Sequence, residues 1–368
     1  MKRPVHAGAV DPTDITHHPY HSLTNRELAD SKRNAEAVLT RAWQGRGLLA
    51  CALWPLSLLF GALAALRRGL FALGIKQAQR LPVPVIVVGN VFVGGTGKTP
   101  FSIWLIEALR AAGHTPGVVS RGYGGEQGVA EVHADSAAAR VGDEPLLIVQ
   151  RTGVPLVVGR RRVQAGLALL AAHPEVDVVI SDDGLQHYAL ARDIEIVLSD
   201  ARGNGNGWLL PAGPLREPAS RRRDFSVVNL AAGAAAPAGA YAMRLEAGDA
   251  VQLAPPSAHR PLASMGEGGV RLAAVAGIGN PGRFFATLRG AGLSFAEHPL
   301  PDHYDFAGNP FAGLAADVIL ITEKDAVKCR AIEAIRNDPR IWVVPVSARI
   351  EGALAEHIVE KLRERPTA

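Results

Sequence analysis

Cysteine is nearly missing from this chain: Cys51 and Cys329 are the only two in 368 residues. That excludes a disulfide scaffold and a cysteine-rich zinc module, and it fits a reducing compartment. Charged residues are sparse at 20%, against roughly 25% in an average soluble domain. The net charge is only +4, too small for bulk charge to imply nucleic-acid binding. There is no Gly-X-Y period, no sustained heptad and no series of long apolar runs. Collagen, a coiled coil and a polytopic membrane protein are therefore excluded. The length suggests about two domains, each able to bury a core unaided.

Residues 1–40 are polar, rich in His and Asp, and lack periodicity, so they read as a disordered extension. His17, His18 and His21 lie there without a carboxylate frame and read as part of a solvated tail. Gly47–Leu66 then runs for 20 residues without a formal charge, about 30 Å as a helix. Arg41 and Arg46 flank one end, and Arg67 and Arg68 the other. Such a run can span a bilayer, lie in its interface or fill a core. Pro55 breaks its middle, and basic residues at both ends give no orientation bias. Both features favour an interfacial helix within a membrane-associated segment over 41–76.

Residues 83–89, VPVIVVG, form a β-branched run of the kind buried in a parallel sheet. The loop Phe92-Val93-Gly94-Gly95-Thr96-Gly97-Lys98-Thr99 follows, then a helical run ending near Gly113. Strand, glycine-rich loop with Gly-Lys-Thr and helix together make a phosphate-binding P-loop. Its amides and helix dipole would cradle phosphates, Lys98 would reach the β- and γ-oxygens, and Thr99 would ligate Mg²⁺. The usual first glycine is absent, because position 92 is Phe.

Residues 176–181, VDVVIS, form a second buried strand, ending in Asp182-Asp183-Gly184-Leu185-Gln186-His187. A carboxylate at that end of a strand is placed to hold Mg²⁺. Ser120-Arg121-Gly122-Tyr123 and Gly159-Arg160-Arg161-Arg162 each follow a predicted strand, and Val141-Gly142-Asp143-Glu144 lies between them before an apolar helix, where its acidic pair alone reads as ordinary capping. Ligands bind at that edge of open α/β sheets.

Alternating strands and helices over 77–230 predict a P-loop NTPase-type α/β domain with a doubly wound parallel sheet. The Ala- and Gly-rich stretch opening 231–269 reads as a linker, and 270–368 as a second, smaller α/β domain. Gly277, Gly279 and Gly282 spell G-x-G-x-x-G, but beside a stronger phosphate loop this one reads as structural. A partitioning-type ATPase would carry Lys where Val93 stands. A GTP-binding protein would carry Asn-Lys-x-Asp, and the nearest segment is Thr322-Glu323-Lys324-Asp325.

In combination, VPVIVVGNVFVGGTGKTP, GVVSRGYGG, VGDEP, DVVISDDGLQH, LLPAGPLREP, AGIGNPGRFF, LPDHYDF and ITEKDA resemble the tetraacyldisaccharide 4′-kinase family. The resemblance runs in order from about residue 40 to the C-terminus, and that family's loop also lacks the first glycine. It implies transfer of the ATP γ-phosphate to the 4′-hydroxyl of a tetraacylated glucosamine disaccharide 1-phosphate, giving lipid IVA. It implies Mg²⁺, a membrane surface as partner, no nucleic acid and no obligate protein partner. The implied place is the cytoplasmic face of the inner membrane. Carried over by position, Asp143 and His303 form the catalytic pair with Lys98 at the phosphates. Glu144, Asp182 and Asp183 join Thr99 at the metal, and Arg121, Tyr123, Gln186, His187 and Arg216 face the lipid substrate.

Overall fold

A computed structural model of the chain describes residues 38–122, 128–231, 233–253 and 258–364. The extension expected over 1–40, up to residue 37, and the predicted site residue Tyr123 lie outside the described residues. Residues 38–42 are helical.

Short β-branched runs become strands β1 (Val85–Asn90), β2 (Pro116–Ser120), β3 (Val129–Glu131), β4 (Leu156–Gly159), β5 (Val178–Asp182), β6 (Ile194–Asp200), β7 (Phe225–Asn229) and β8 (Tyr241–Ala247). Six follow: β9 (Ala250–Gln252), β10 (His259–Arg260), β11 (Leu272–Ala276), β12 (Ala296–Pro299), β13 (Val318–Thr322) and β14 (Ile341–Val344). Last comes β15 (Val346–Ile350). The helices are α1 (Leu48–Ala72), α2 (Lys98–Ala111), α3 (Ala138–Val141), α4 (Asp143–Thr152), α5 (Arg162–Ala172), α6 (Pro281–Gly290), α7 (Glu323–Cys329), α8 (Glu333–Arg336) and α9 (Leu354–Arg363).

Two sheets result. The first has the order β15-β8-β7-β6-β1-β5-β2-β4-β3 and is parallel except at its two edges. β1 lies centrally, with β5 on one side and β6 on the other. The strand order reverses there, so the loop after β1 opens at a topological switch point. Register does the rest: Val88 pairs with Asp182, which brings the carboxyl end of β5 beside the phosphate loop. The second sheet has the order β10-β9-β14-β13-β11-β12, with a parallel centre.

Two expected boundaries change. The segment 231–269 is not a linker: β8 pairs with β7 in the first sheet, and β9 joins the second. Ala242 and Met243 are buried there, a short signal masked by the Ala- and Gly-rich run before it. Nor is 270–368 one domain. β15 pairs antiparallel with β8, and Leu354, Ile358 and Leu362 of α9 enter the first sheet's core beside α2.

Helix α1 also differs from expectation, because it continues through Pro55. Residues Ala50, Leu53, Ser57, Phe60, Gly61, Ala64, Arg68 and Phe71 form its less exposed stripe, spaced three or four apart. Ser57 Oγ donates to Leu209 O at 2.7 Å and accepts from Ala212 N at 2.9 Å. Trp43 Nε1 donates to Pro211 O, and Phe71 packs on Tyr188. The opposite face, including Leu56, Leu59, Leu63 and Leu66, is open.

Candidate active site

β1 delivers Asn90, fully buried, to the start of the loop. Its Nδ2 donates to Phe92 O at 2.6 Å and Gly94 O at 3.0 Å, and its Oδ1 accepts from Lys98 Nζ at 3.1 Å. Phe92 is buried, bridges to Leu215, and carries the Arg202 guanidinium 4.4 Å from its ring centroid. Its side chain therefore anchors the loop, leaving the stretch from Gly94 onward to face a ligand. Phe92 has no left-handed backbone, so no glycine is needed there. Gly97 does need to be glycine: its φ is +96°, and a Cβ would lie 2.8 Å from Asn229 Nδ2. Arg202 also donates to Gly95 O and pairs with Asp200, which in turn accepts from Arg283 at 2.7 Å.

Beside the loop stand the β5 carboxylates. Asp182 is buried and accepts from Ser102 Oγ at 3.1 Å. Burial, then the charges of Glu144 and Asp183, push its pKa up to about 6. Asp183 lies 3.5 Å from both Lys98 Nζ and Arg216 Nη1. Burial works against its charge, but Lys98 and Arg216 outweigh that and keep its carboxyl below the usual range.

Asp143 opens α4, and His303 comes from the turn after β12, 160 residues away. The fold brings His303 Nδ1 to 3.0 Å from Asp143 Oδ2. His303 sits at φ +58°, a left-handed conformation uncommon outside glycine. Two lysines of α7 converge on the same carboxylate: Lys328 Nζ at 3.3 Å and Lys324 Nζ at 4.0 Å. Burial alone would raise the Asp143 pKa. The His303 hydrogen bond and the lysines overcome it and hold the carboxyl well below its ordinary value. The same hydrogen bond raises the pKa of His303. Lys324 also bonds Glu144 at 2.9 Å.

A cavity of about 200 Å³ lies between the lobes built on the first and second sheets. Gly95, Thr96, Gly97, Lys98 and Thr99 line one wall, Glu144 the margin, and Gly279, Arg283, Phe284 and Lys324 the other. Ile103, Leu147, Leu245 and Val346 give it an apolar end.

Four of the residues expected at the lipid substrate, Arg121, Gln186, His187 and Arg216, are among the described residues. Arg216 reaches Asp183, as above. Gln186 is half-buried. His187 accepts from Arg162 N at 3.3 Å, and burial with the nearby arginines lowers its pKa to about 4. Arg121 is exposed.

Arg162, which the sequence marks only as part of the Gly159–Arg162 run, is buried and donates to Gly159 O at 2.8 Å and Asp182 O at 3.2 Å. Sequence reasoning passed over Asn90, Lys324, Lys328 and the Asp200–Arg283 pair as site residues. Asn90, at the mouth of a phosphate loop, carried a usable signal. The lysines lie about half the chain away from Asp143, and only the fold joins them.

Residues 49–363 match the family described as tetraacyldisaccharide-1-P 4′-kinase. A tetraacyldisaccharide 4′-kinase of Janthinobacterium sp. (strain Marseille) is 60% identical over 347 residues, covering 93% of this chain and 100% of the relative. One from Herminiimonas arsenicoxydans is 60% identical over 349 residues, covering 91% and 98%. The crystal structure of LpxK from Aquifex aeolicus in complex with ATP superposes with a TM-score of 0.72 at 28% identity, covering 86% of this chain and 100% of that one. With a match across most of its length and relatives this similar, the chain belongs to the tetraacyldisaccharide 4′-kinase family.

Proposed function

We propose that this chain binds ATP in the cavity beside the P-loop and transfers its γ-phosphate to the 4′-hydroxyl of a tetraacylated glucosamine disaccharide 1-phosphate, forming lipid IVA. The observation that carries this reading is the convergence of Lys98, the Asp182–Asp183 pair and the Asp143–His303 pair on one sheet edge. Phosphoryl transfer asks for positioning and charge more than for covalent chemistry.

Lys98 leaves Asp183 and Asn90 to meet the phosphates. Asp143, ionised across the working pH range, accepts the proton of the sugar hydroxyl. His303 donates from Nδ1 to the Asp143 carboxylate and fixes its direction. A weak base suffices, because the hydroxyl proton leaves late when the transition state is loose. Arg121, Gln186, His187 and Arg216 hold the lipid headgroup, a role that the resemblance also gives Tyr123.

The residues fit Mg²⁺. Asp182, Asp183 and Glu144 crowd like charges that a cation relieves, and Asp182 is already driven toward its neutral form. Among the described residues no ready-made cage of three His, Cys, Asp or Glu gathers. Mg²⁺ keeps part of its shell for water and substrate phosphates, so it does not ask for such a cage. Thr99, Asp182, Asp183 and Glu144 would hold it, and when bound it neutralises charge on the phosphates.

Helix α1 supports a place on the cytoplasmic leaflet of the inner membrane, lying in the interface. Its docked stripe runs almost its whole length, so crossing would draw Arg68 and its partner Glu217 into hydrocarbon with it. Its open leucine face lets the acyl chains stay in lipid while the sugars enter the cleft.

Incubating the protein with γ-labelled ATP, Mg²⁺ and the lipid disaccharide phosphate tests the reading. Label enters the lipid. Release of label only as free phosphate overturns it.

A further inference from the structure

The wall of the cavity opposite the P-loop is the glycine turn before α6, the segment whose G-x-G-x-x-G spacing looked merely structural. Three features make it more than a turn. At Gly279 the backbone closes on the phosphate loop, for a Cβ there would lie 3.9 Å from Gly95 N. Arg283, in the first turn of α6, lines the same cavity as Lys98 and Thr99. Thr96, fully buried and also lining that cavity, has an Oγ1 with no hydrogen-bond partner among the described residues. A buried hydroxyl in this position is costly unless a ligand completes it.

We infer that Arg283 is a second-lobe phosphate-binding residue, gripping the polyphosphate of the nucleotide from the side opposite Lys98. This rests on the reading that the cavity holds ATP. The guanidinium is held in place by Asp200, which is buried and also holds Arg202 against Gly95 O. Arg283 is therefore presented at the rim of the phosphate loop by a fixed carboxylate. Its five donors exceed what Asp200 uses, and a guanidinium fork suits phosphate oxygens. The polyphosphate brings more negative charge into the cleft than Lys98 alone offsets, and Lys324 is bonded to Glu144. An arginine on the far wall balances that charge and makes binding depend on both lobes. The competing account is that Arg283 and Asp200 merely tie the lobes together.

Displacement of a fluorescent ATP analogue by ATP and by AMP, on wild type, Arg283→Ala, Arg283→Gln and Arg283→Lys, separates the two. Arg283→Ala and Arg283→Gln weaken ATP by roughly 10- to 100-fold, the span expected for charge-assisted bonds. AMP changes by less than twofold, and Arg283→Lys recovers part of the loss. Thermal melting of each variant without nucleotide checks that it is folded, and Arg283→Gln keeps a hydrogen bond to Asp200 should Arg283→Ala fail. ATP affinity unchanged in both variants overturns the inference. So does an equal loss for ATP and AMP, the signature of lobes that have come apart. Lys98→Ala in the same assay isolates the premise. If it keeps full ATP affinity, the P-loop reading fails; if it loses affinity while the Arg283 variants do not, only the assignment of Arg283 fails.

Discussion

Replacing Leu56, Leu59, Leu63 and Leu66 together with Ser is expected to release the protein from membranes without unfolding it. These side chains are 54%, 58%, 58% and 60% exposed, so they contribute little to the core. Burying a whole leucine is worth about 1.5–3 kcal/mol. With slightly more than half of each left for lipid, four leucines supply roughly 3.5–7 kcal/mol. At 1.4 kcal/mol per factor of ten, partitioning into vesicles falls by roughly 300-fold or more. Co-sedimentation with vesicles containing anionic lipid reads this directly. The KM for lipid substrate rises while ATP affinity stays level, because the P-loop lies on a different element. The melting temperature stays near that of the wild type. A variant that remains vesicle-bound with unaltered lipid kinetics refutes the reasoning. Resistance of the wild type to alkaline carbonate extraction replaces the interfacial placement with a spanning one.

Lys98→Ala is expected to cut turnover by on the order of a hundredfold or more, since it removes a charge from the transferring phosphate; steady-state kinetics decide it, and near-normal turnover refutes the P-loop role. Asp143→Asn and His303→Ala lower kcat much more than they weaken ATP binding, and the double variant is little worse than the poorer single one. Fully additive losses mean the two do not act as a unit. Without Mg²⁺, stability falls as pH rises from the ordinary carboxylate value through about 6, because Asp182 keeps its proton longer folded than unfolded. Melting curves of Asp182→Asn lose that slope, and retention of the full slope assigns it elsewhere. Gly97→Ala impairs ATP binding through backbone strain and a clash with Asn229, and calorimetric titration checks it.

The strand–loop–helix of the phosphate site is legible because all its parts are consecutive: a β-branched run, a glycine loop and a helix start. The Asp182 placement is legible for the same reason, since a strand end points at one sheet edge whatever its neighbours are. Pairing Asp143 with His303 came from resemblance, because nothing local ties residues 160 apart. What stayed hidden was destination. Leu354, Ile358 and Leu362 announce an amphipathic helix, yet the same stripe would fit either lobe. Likewise Tyr241–Ala247 is too short to outweigh the Ala- and Gly-rich run before it. Charges such as Lys324 and Lys328 look like a solvated helix face until α7 is packed against α4.

The return of β15 and α9 to the first sheet also bears on how each molecule is made. The ribosome delivers α1 early and these two elements near the end. Until they arrive, β8 is an open edge and the outer face of α2 lacks its cover. The nucleotide pocket, which Val346 of β15 helps to line, is therefore finished only when nearly all of the chain has been made, and a product interrupted before β15 lacks both that wall and the cover of α2.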